Sequence, residues 1–563
     1  MFMHKFAKTL IITGGHLTAS FGRVALVATA VCAVFAPLPS LADAVNLVAN
    51  GSFESYEGTM SSSGWGGIPG TLQLNDWDWE CVSGDGNIGL AKAGKTWVTS
   101  DLPDGDVGLY FQHNVLIRQE IVAPETGSYL VSFMYSRRSG TTYKNGIIHV
   151  KVDGVEIYQV ECSTTEFRRG LVVAALSKGS HVLTFEHRTD HVTENNGCSA
   201  IDLVSVTQTD NLVANGSFEN YIGTTIPSMG YPSMSSSFYA TSWETAVDDG
   251  DIGLTVTNSP HVSSYIPDGD VVLFFNKDCS ASQRIYVPEL GTYVVSFRFR
   301  PRGGSYNYGV IYVQIDGATV ECVNCYKASS SSGAVFGLAK VKTWLSAGAH
   351  TLSLLHSDEN NTGACTTIDL VSVERMTGTE MLVNGGFDEG TMFNDVWGKC
   401  IVNDADSVGI SNPGWHEVGS VGLSKASVPW VSSSIDVGTY AAFLQTSSSV
   451  GTDSLLWQAF PQLKAGTYRL SFSYAGRPGK TGASVAVRIR EGVGVSGNIV
   501  REGTFASSAS SPLVDYSMNV TIPVAGRYTL EFRQGATSDD KGTVIDNVSF
   551  EFLRGTGLMI LLR

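Results

Sequence analysis

The side chains that could do chemistry recur at matched places along the chain. Glu54 ends the segment Asn46-Leu-Val-Ala-Asn-Gly-Ser-Phe-Glu54, and Glu219 ends an identical one from Asn211. Asp388 ends a weaker third copy, Leu382-Val-Asn-Gly-Gly-Phe-Asp388. Three further acids lie in closing segments: Asp202 in Ile201-Asp-Leu-Val-Ser-Val206, Asp369 in Ile368-Asp-Leu-Val-Ser-Val373, and Asp546 in Ile545-Asp-Asn-Val-Ser-Phe550. Paired carboxylates can hold a hard cation or act as the acid and base of glycoside hydrolysis.

Arginines and tryptophans recur too. Arg138, Arg302 and Arg477 each follow, nine residues on, a tyrosine (Tyr129, Tyr293, Tyr468) that itself stands ten residues after Gln119, Gln283 or Gln458. A guanidinium there could hold a sugar hydroxyl or carboxylate through two hydrogen bonds, or could cover a loop carbonyl. Trp97 and Trp430 fall at matched positions, with His261 at the corresponding place in the second copy. Their rings could stack on the C–H faces of a sugar. Trp79, Trp243 and Trp415 are matched as well and read better as packing residues.

Other chemistry is not written here. The chain has no His-Glu-x-x-His and no Gly-x-Ser-x-Gly. The repeats consume the chain after residue 44, which leaves no segment large enough for a separate catalytic domain. His181 and His350 occupy matched strand positions and read as sheet residues.

The elements that must position these residues are strands. Segments such as Tyr129-Leu-Val-Ser-Phe133, Tyr293-Val-Val-Ser-Phe297 and Tyr468-Arg-Leu-Ser-Phe472 alternate with period two. Asp153-Gly154 and Asp316-Gly317 are hairpin dipeptides, because both central positions of a type I′ turn need positive φ. No window carries a sustained helical stripe. The expectation is an all-β chain of three tandem antiparallel β-sandwiches: residues 45–208, 209–376 and 377–553, followed by an apolar tail at 554–563. Only a few residues separate the units, which predicts a semi-rigid row.

Residues 1–44 read as an export signal. Lys5, Lys8 and Arg23 precede an apolar run from Val24 to about Phe35, and Ala42-Asp43-Ala44 is a small-x-small cleavage site. The run is shorter than the roughly 20 residues a bilayer crossing needs, so no membrane span is expected in the mature chain. After cleavage, 34 Lys and Arg face 52 Asp and Glu, a net charge of −18. Such a surface repels polyanions, which disfavours nucleic acid as a partner. A secreted or cell-surface location follows.

Eight cysteines remain after cleavage. Cys162 and Cys325 each lie nine residues after an Asp-Gly turn, and Cys198 and Cys365 each lie four residues before the closing acid. The matched offsets suggest disulfides Cys162–Cys198 and Cys325–Cys365, with Cys322 an alternative to Cys325. Cys81, Cys279 and Cys400 have no evident partners.

The opening Asn-Leu-Val-x-Asn-Gly-Ser-Phe-Glu, the central Gln…Gly-Thr-Tyr-x-x-Ser-Phe…Arg and the closing Ile-Asp-x-Val-Ser resemble the galactose-binding-like jelly-roll superfamily. That group includes many carbohydrate-binding modules and cell-wall-associated domains. The resemblance covers Asn46 to Phe552. It implies that the first and last strands of each unit lie side by side, which would set Glu54 against Asp202, Glu219 against Asp369, and Asp388 against Asp546. It also implies a structural calcium at each pair, least firmly at the third, where Asp388 is one methylene shorter. The alternative is that these acids cap turns. For function, the resemblance implies a non-catalytic binder of carbohydrate or cell-wall polysaccharide. A structural or adhesion protein binding cell-surface proteins is the alternative, and a glycan-active enzyme is a third reading.

Overall fold

In a computed structural model, the described residues are 45–555, except 69, 75–78, 96–100, 141–142, 190–196, 224, 227–231, 236–237, 260, 263–264, 303–307, 327–335, 359–362, 393–398, 402–409, 425–439, 446–452, 478–483, 507–512 and 535–541. The expected export signal, the end of the tail, Trp97 and Trp430 lie outside them. Among the described residues every regular element is a strand.

The longer strands form three pairs of antiparallel sheets, each pair with its own apolar core and a separate two-stranded sheet beside it. In each pair one sheet, here the back sheet, carries the closing strand: Cys198–Thr209, Cys365–Arg375 or Gly542–Gly555. In the second pair its order is Gly337–Leu345, Gly291–Pro301, Cys365–Arg375, Val271–Asn276, Asp251–Val256. The opposing front sheet runs Glu244–Val247, Cys279–Val287, Gly348–Ser357, Tyr308–Ile315, Ala318–Tyr326. The first and third pairs repeat this order, each with one additional edge strand on the back sheet.

Alternation puts the apolar residues between the sheets. In Val115–Ala123, Val115, Ile117, Gln119, Ile121 and Ala123 are buried while Arg118, Glu120 and Val122 are exposed. The first core joins Ile117 and Phe185 of the front sheet to Leu109 and Phe133 of the back sheet. Each such side chain stabilises by roughly 1.5–3 kcal/mol on burial. Both expected hairpins form: Asp153 and Gly154 have φ of 51° and 80°, and Asp316 and Gly317 have 52° and 77°.

The repeated polar residues hold the frame. The Gln119 carboxamide accepts from Ala49 N–H at 2.8 Å and donates to Ala49 C=O at 2.9 Å. Gln283 grips Ala214, and Gln458 grips Val383, in the same way. Trp79, Trp243 and Trp415 are buried, and their indole N–H groups donate to Asn50, Asn215 and Asn384 carbonyls. They are packing residues, as the sequence suggests. His181 and His350 each contact the turn aspartate of their own hairpin, Asp153 and Asp316, at 2.7 Å.

Successive pairs meet through one edge of the back sheet. Leu171 and Val173 pack against Ala214 of the next pair. Lys340 and Lys342 occupy the same register one pair later, where Lys340 reaches Glu389 at 2.6 Å. In the third pair the corresponding residues are Ser517 and Asn519, both exposed.

Candidate functional site

The opening segment of each sandwich runs beside its closing strand. Leu47 N–H donates to Val206 C=O, Leu212 N–H to Val373 C=O, and Met381 N–H to Phe550 C=O, all at 2.9–3.0 Å. Contact is close enough to demand glycine. A Cβ on Gly51 would stand 2.0 Å from Val204 O, and one on Gly216 would stand 2.0 Å from Val371 O. The chain then turns through positive φ at Phe53, Phe218 and Phe387, while Leu203, Leu370 and Asn547 bulge outward at φ of 48–51°. These turns deliver the six acids in pairs.

Glu54 Oε1 accepts Asp106 and Val107 N–H at 2.8 and 2.7 Å. Asp202 accepts Asp104 N–H at 3.1 Å and Leu203 N–H at 2.8 Å. The second sandwich repeats this with Glu219 on Asp270 and Val271, and Asp369 on Asp268 and Leu370. Asp202 and Asp369 are 0% exposed, and burial raises both to about 7, with repulsion from Asp104 and Glu54 or from Asp268 and Glu219 added. Burial also raises Glu219. In the third sandwich Asp388 accepts Tyr440 N–H, and Asp546, raised to about 7 by burial, accepts Asn547 N–H.

All of these donors are hard oxygens, the type calcium takes. Among the described residues no group of three or more His, Cys, Asp or Glu side chains converges as a metal cluster. A cation would therefore have to draw on a pair plus backbone oxygens. The buried Asp546 Oδ2 makes no hydrogen bond, whereas both oxygens of Asp202 and Asp369 accept N–H groups. The third pair, ranked weakest from sequence, thus holds the closing-acid oxygen most open to a cation or proton.

The three arginines sit at equivalent places on the outer face of the back sheet. Their backbone N–H groups donate to Cys198, Cys365 and Gly542 carbonyls at 3.1, 2.8 and 2.8 Å. Arg138 is 7% exposed, with its guanidinium 3.8 Å from the Tyr143 ring centroid. Arg302 and Arg477 are half-buried. Tyr110 lies in the same layer as Arg138, edge-on to Trp65. In the second sandwich His261 stacks on Phe274 at 4.5 Å, and its Nδ1 lies 3.0 Å from Cys365 Sγ. Packing is the visible work of Arg138, so it offers little surface to a ligand.

The expected disulfides do not form. Cys81, Cys162, Cys198, Cys279, Cys322, Cys325 and Cys365 are all thiols. Strand alternation supplies the reason. Cys162 and Cys325 pack in the inter-sheet cores, whereas Cys198 joins the outer cluster of Tyr110 and Ala200, and Cys365 meets His261. Matched offsets along the chain did not reveal that one partner turns into the core from the front sheet while the other lies on the outer face of the back sheet. Cys400 lies on a described strand, but its side chain is outside the described set.

Another surface went unmarked in the sequence reading: the solvent face of the front sheets. Cross-strand register aligns two rows of side chains there. In the second sandwich one row is Ala246, Ser280, Leu355, Tyr312 and Cys322, and its neighbour is Glu244, Ser282, Ser353, Gln314 and Thr319. A cleft of about 390 Å³ opens over the first row, lined also by Val247, Asp248, Asp278 and Ser357. The same rows in the first sandwich carry Glu80–Arg118, Lys151–Glu186 and His149–Glu156 pairs. In the third, fully buried Glu531 is held by Arg488, Arg490 and Arg533. Comparing the outward positions of the three copies would have exposed the contrast, since Ser282 stands where the first has Arg118 and Ser353 where the third has Glu531.

No family model and no curated protein matches the chain. Solved structures similar to it include a CBM61 module in complex with β-1,4-galactotriose, at 19% identity over 31% of this chain and 100% of that one, with a TM-score of 0.22. A CBM4 structure is 16% identical over 30% of this chain and 99% of its own, with a TM-score of 0.20. The CBM22-1–CBM22-2 tandem of Paenibacillus barcinonensis Xyn10C is 11% identical over 59% of this chain and 98% of its own, with a TM-score of 0.20. The fold rests on the strand orders and cores described above.

Proposed function

We propose that this chain is an exported, non-catalytic array of three β-sandwich domains that binds a neutral polysaccharide. The front sheet of the second sandwich is its principal binding face. One observation carries the reading: of ten outward side chains in two adjacent rows, only one, that of Glu244, belongs to an Asp, Glu, Lys or Arg residue, and it stands at the sheet edge. Ion pairs close the same face in both neighbours. Sugar hydroxyls exchange hydrogen bonds with serine, threonine and amide groups at little desolvation cost, and a sugar C–H face packs on an aromatic ring. Ser280, Ser282, Ser353, Gln314 and Tyr312 supply that set.

The His261–Cys365 contact is not set up for nucleophilic catalysis. Burial pushes His261 down to about 4 and Cys365 up to about 12, so neither a working base nor a thiolate exists at neutral pH. Calcium enters this reading as a structural ion. Glu54 with Asp202, Glu219 with Asp369, and Asp388 with Asp546 would hold it, and its charge would offset buried carboxylates.

A glycan array probed with the full mature chain tests the proposal. Binding to neutral polysaccharides that falls with Tyr312→Ala is expected. A blank array together with retention on cells would instead favour the cell-surface adhesion reading, and release of sugars from any polymer would favour an enzyme.

A further inference from the structure

The front sheet of the third sandwich begins where that of the second ends. Glu321, on the edge strand Ala318–Tyr326, meets His416 Nε2 at 3.1 Å. His416 stands on the first edge strand of the next front sheet, His416–Val418. Its ring lies flat on Trp457, with centroids 3.8 Å apart and 11° between the planes. Trp457 occupies the register that Ser282 holds in the second sandwich and Arg118 in the first.

Beneath this surface the junction is tied by several contacts. Lys342 Nζ donates to Gln458 Oε1 at 2.7 Å and to Met381 C=O at 3.1 Å, and it stands 4.4 Å from the Phe460 ring centroid. Lys340 pairs with Glu389. These contacts fix the two front sheets relative to each other. The neutral row of the second front sheet runs from Ala246 through Tyr312 to Cys322 on the edge strand, whose Glu321 meets His416, with Trp457 beyond it. Beyond Trp457 the next residue in the row is Glu531, inside its arginine cluster. On the other side lies the ion-paired face of the first sandwich.

We propose that the second and third sandwiches form one site, in which an extended polysaccharide chain crosses the cleft over Tyr312 and continues onto the half-buried Trp457. Five strands at about 4.8 Å spacing cover roughly 19 Å, and Trp457 lies on the next front sheet beyond them. A single sugar ring cannot bridge that distance. The ligand class is thus the interior of a neutral chain rather than its terminal residue. This inference rests on the proposed glycan binding of the second sandwich.

The test is calorimetric titration of the full mature chain with neutral β-1,4-linked gluco-, xylo- and galacto-oligosaccharides of increasing length. Affinity should continue to climb beyond about four sugar units, the span of the second front sheet alone. Trp457→Ala should weaken the longest oligomers by about tenfold and leave the short ones unchanged. Tyr312→Ala should weaken both. The length dependence of the unmodified protein needs no variant, and His416→Ala serves as a second one should Trp457→Ala fold poorly. Affinity that saturates at two or three units, or equal losses on short and long oligomers, overturns the shared site while leaving glycan binding intact. No binding at any length overturns both.

Discussion

Raising the pH of the metal-free protein should lower its melting temperature, and a single substitution should remove one sandwich's share of that trend. Asp202 is fully buried and titrates at about 7 rather than at its ordinary 3.8. A group whose folded pKa is raised binds its proton more tightly in the native state. Its contribution is fully favourable below the unfolded value and is lost as pH climbs from about 4 to about 7. The carboxylate at neutral pH then costs about 4 kcal/mol in the first sandwich. Asp202→Asn removes that cost, but it faces the Asp104 or Leu203 N–H with an NH₂ group, at about 1–3 kcal/mol. The variant should therefore be less stable than the parent near pH 5 and more stable near pH 8, by about 1–3 kcal/mol or roughly 2–10 °C. Differential scanning calorimetry in chelator across this range reads the crossing directly. Added calcium should raise the parent's transition at pH 8 and leave the first sandwich of the variant unmoved. Parallel melting curves that never cross, with no response to calcium, would refute the reasoning about the acid pair.

Further expectations concern the frame and the thiols. Gln283→Ala leaves the Ala214 N–H and C=O and the Ser242 C=O without their buried partner, and should cost about 2–4 kcal/mol by denaturant unfolding. Gly216→Ala, with its Cβ driven to 2.0 Å from Val371 O, should lower the second sandwich's melting temperature by several degrees or prevent folding. Glu531→Gln uncouples three arginines from a fully buried carboxylate and should destabilise the third sandwich by about 3–5 kcal/mol. Mass mapping of unreduced peptides should find no Cys162–Cys198 or Cys325–Cys365 link. A thiol reagent should label exposed Cys322 in the native protein and the buried cysteines only after unfolding.

Much of the frame was legible in sequence because it depends on local pattern. The Asp153-Gly154 turn announces its hairpin, the alternation in Tyr129–Phe133 announces a strand, and the Gln119–Tyr129 spacing returns wherever a carboxamide must grip the opening segment. The acid pairs came from the jelly-roll resemblance, which implies that the opening and closing strands of each unit lie side by side. What failed depended on which face of a sheet a residue takes. Cys162 and Cys198 sit at regular offsets, yet Cys162 turns into the core beside the front sheet and Cys198 lies on the outer face of the back sheet. Arg138 sits at a strand end, as read, but turns onto Tyr143 rather than outward. The neutral face of the second sandwich was missed because its residues, Ser280, Ser282 and Ser353, are individually unremarkable. Only register brings them together, and only the ion pairs of the neighbouring copies give their neutrality meaning.

That face offers the most direct test. Ser282→Arg with Ser353→Glu would install on the second front sheet the kind of charge pair that closes the first and third. Titrating a neutral polysaccharide into the parent and this double variant, with matched melting curves as the control for folding, should show binding in the parent and its loss in the variant. Equal binding by both would contradict the assignment of this face as the ligand surface.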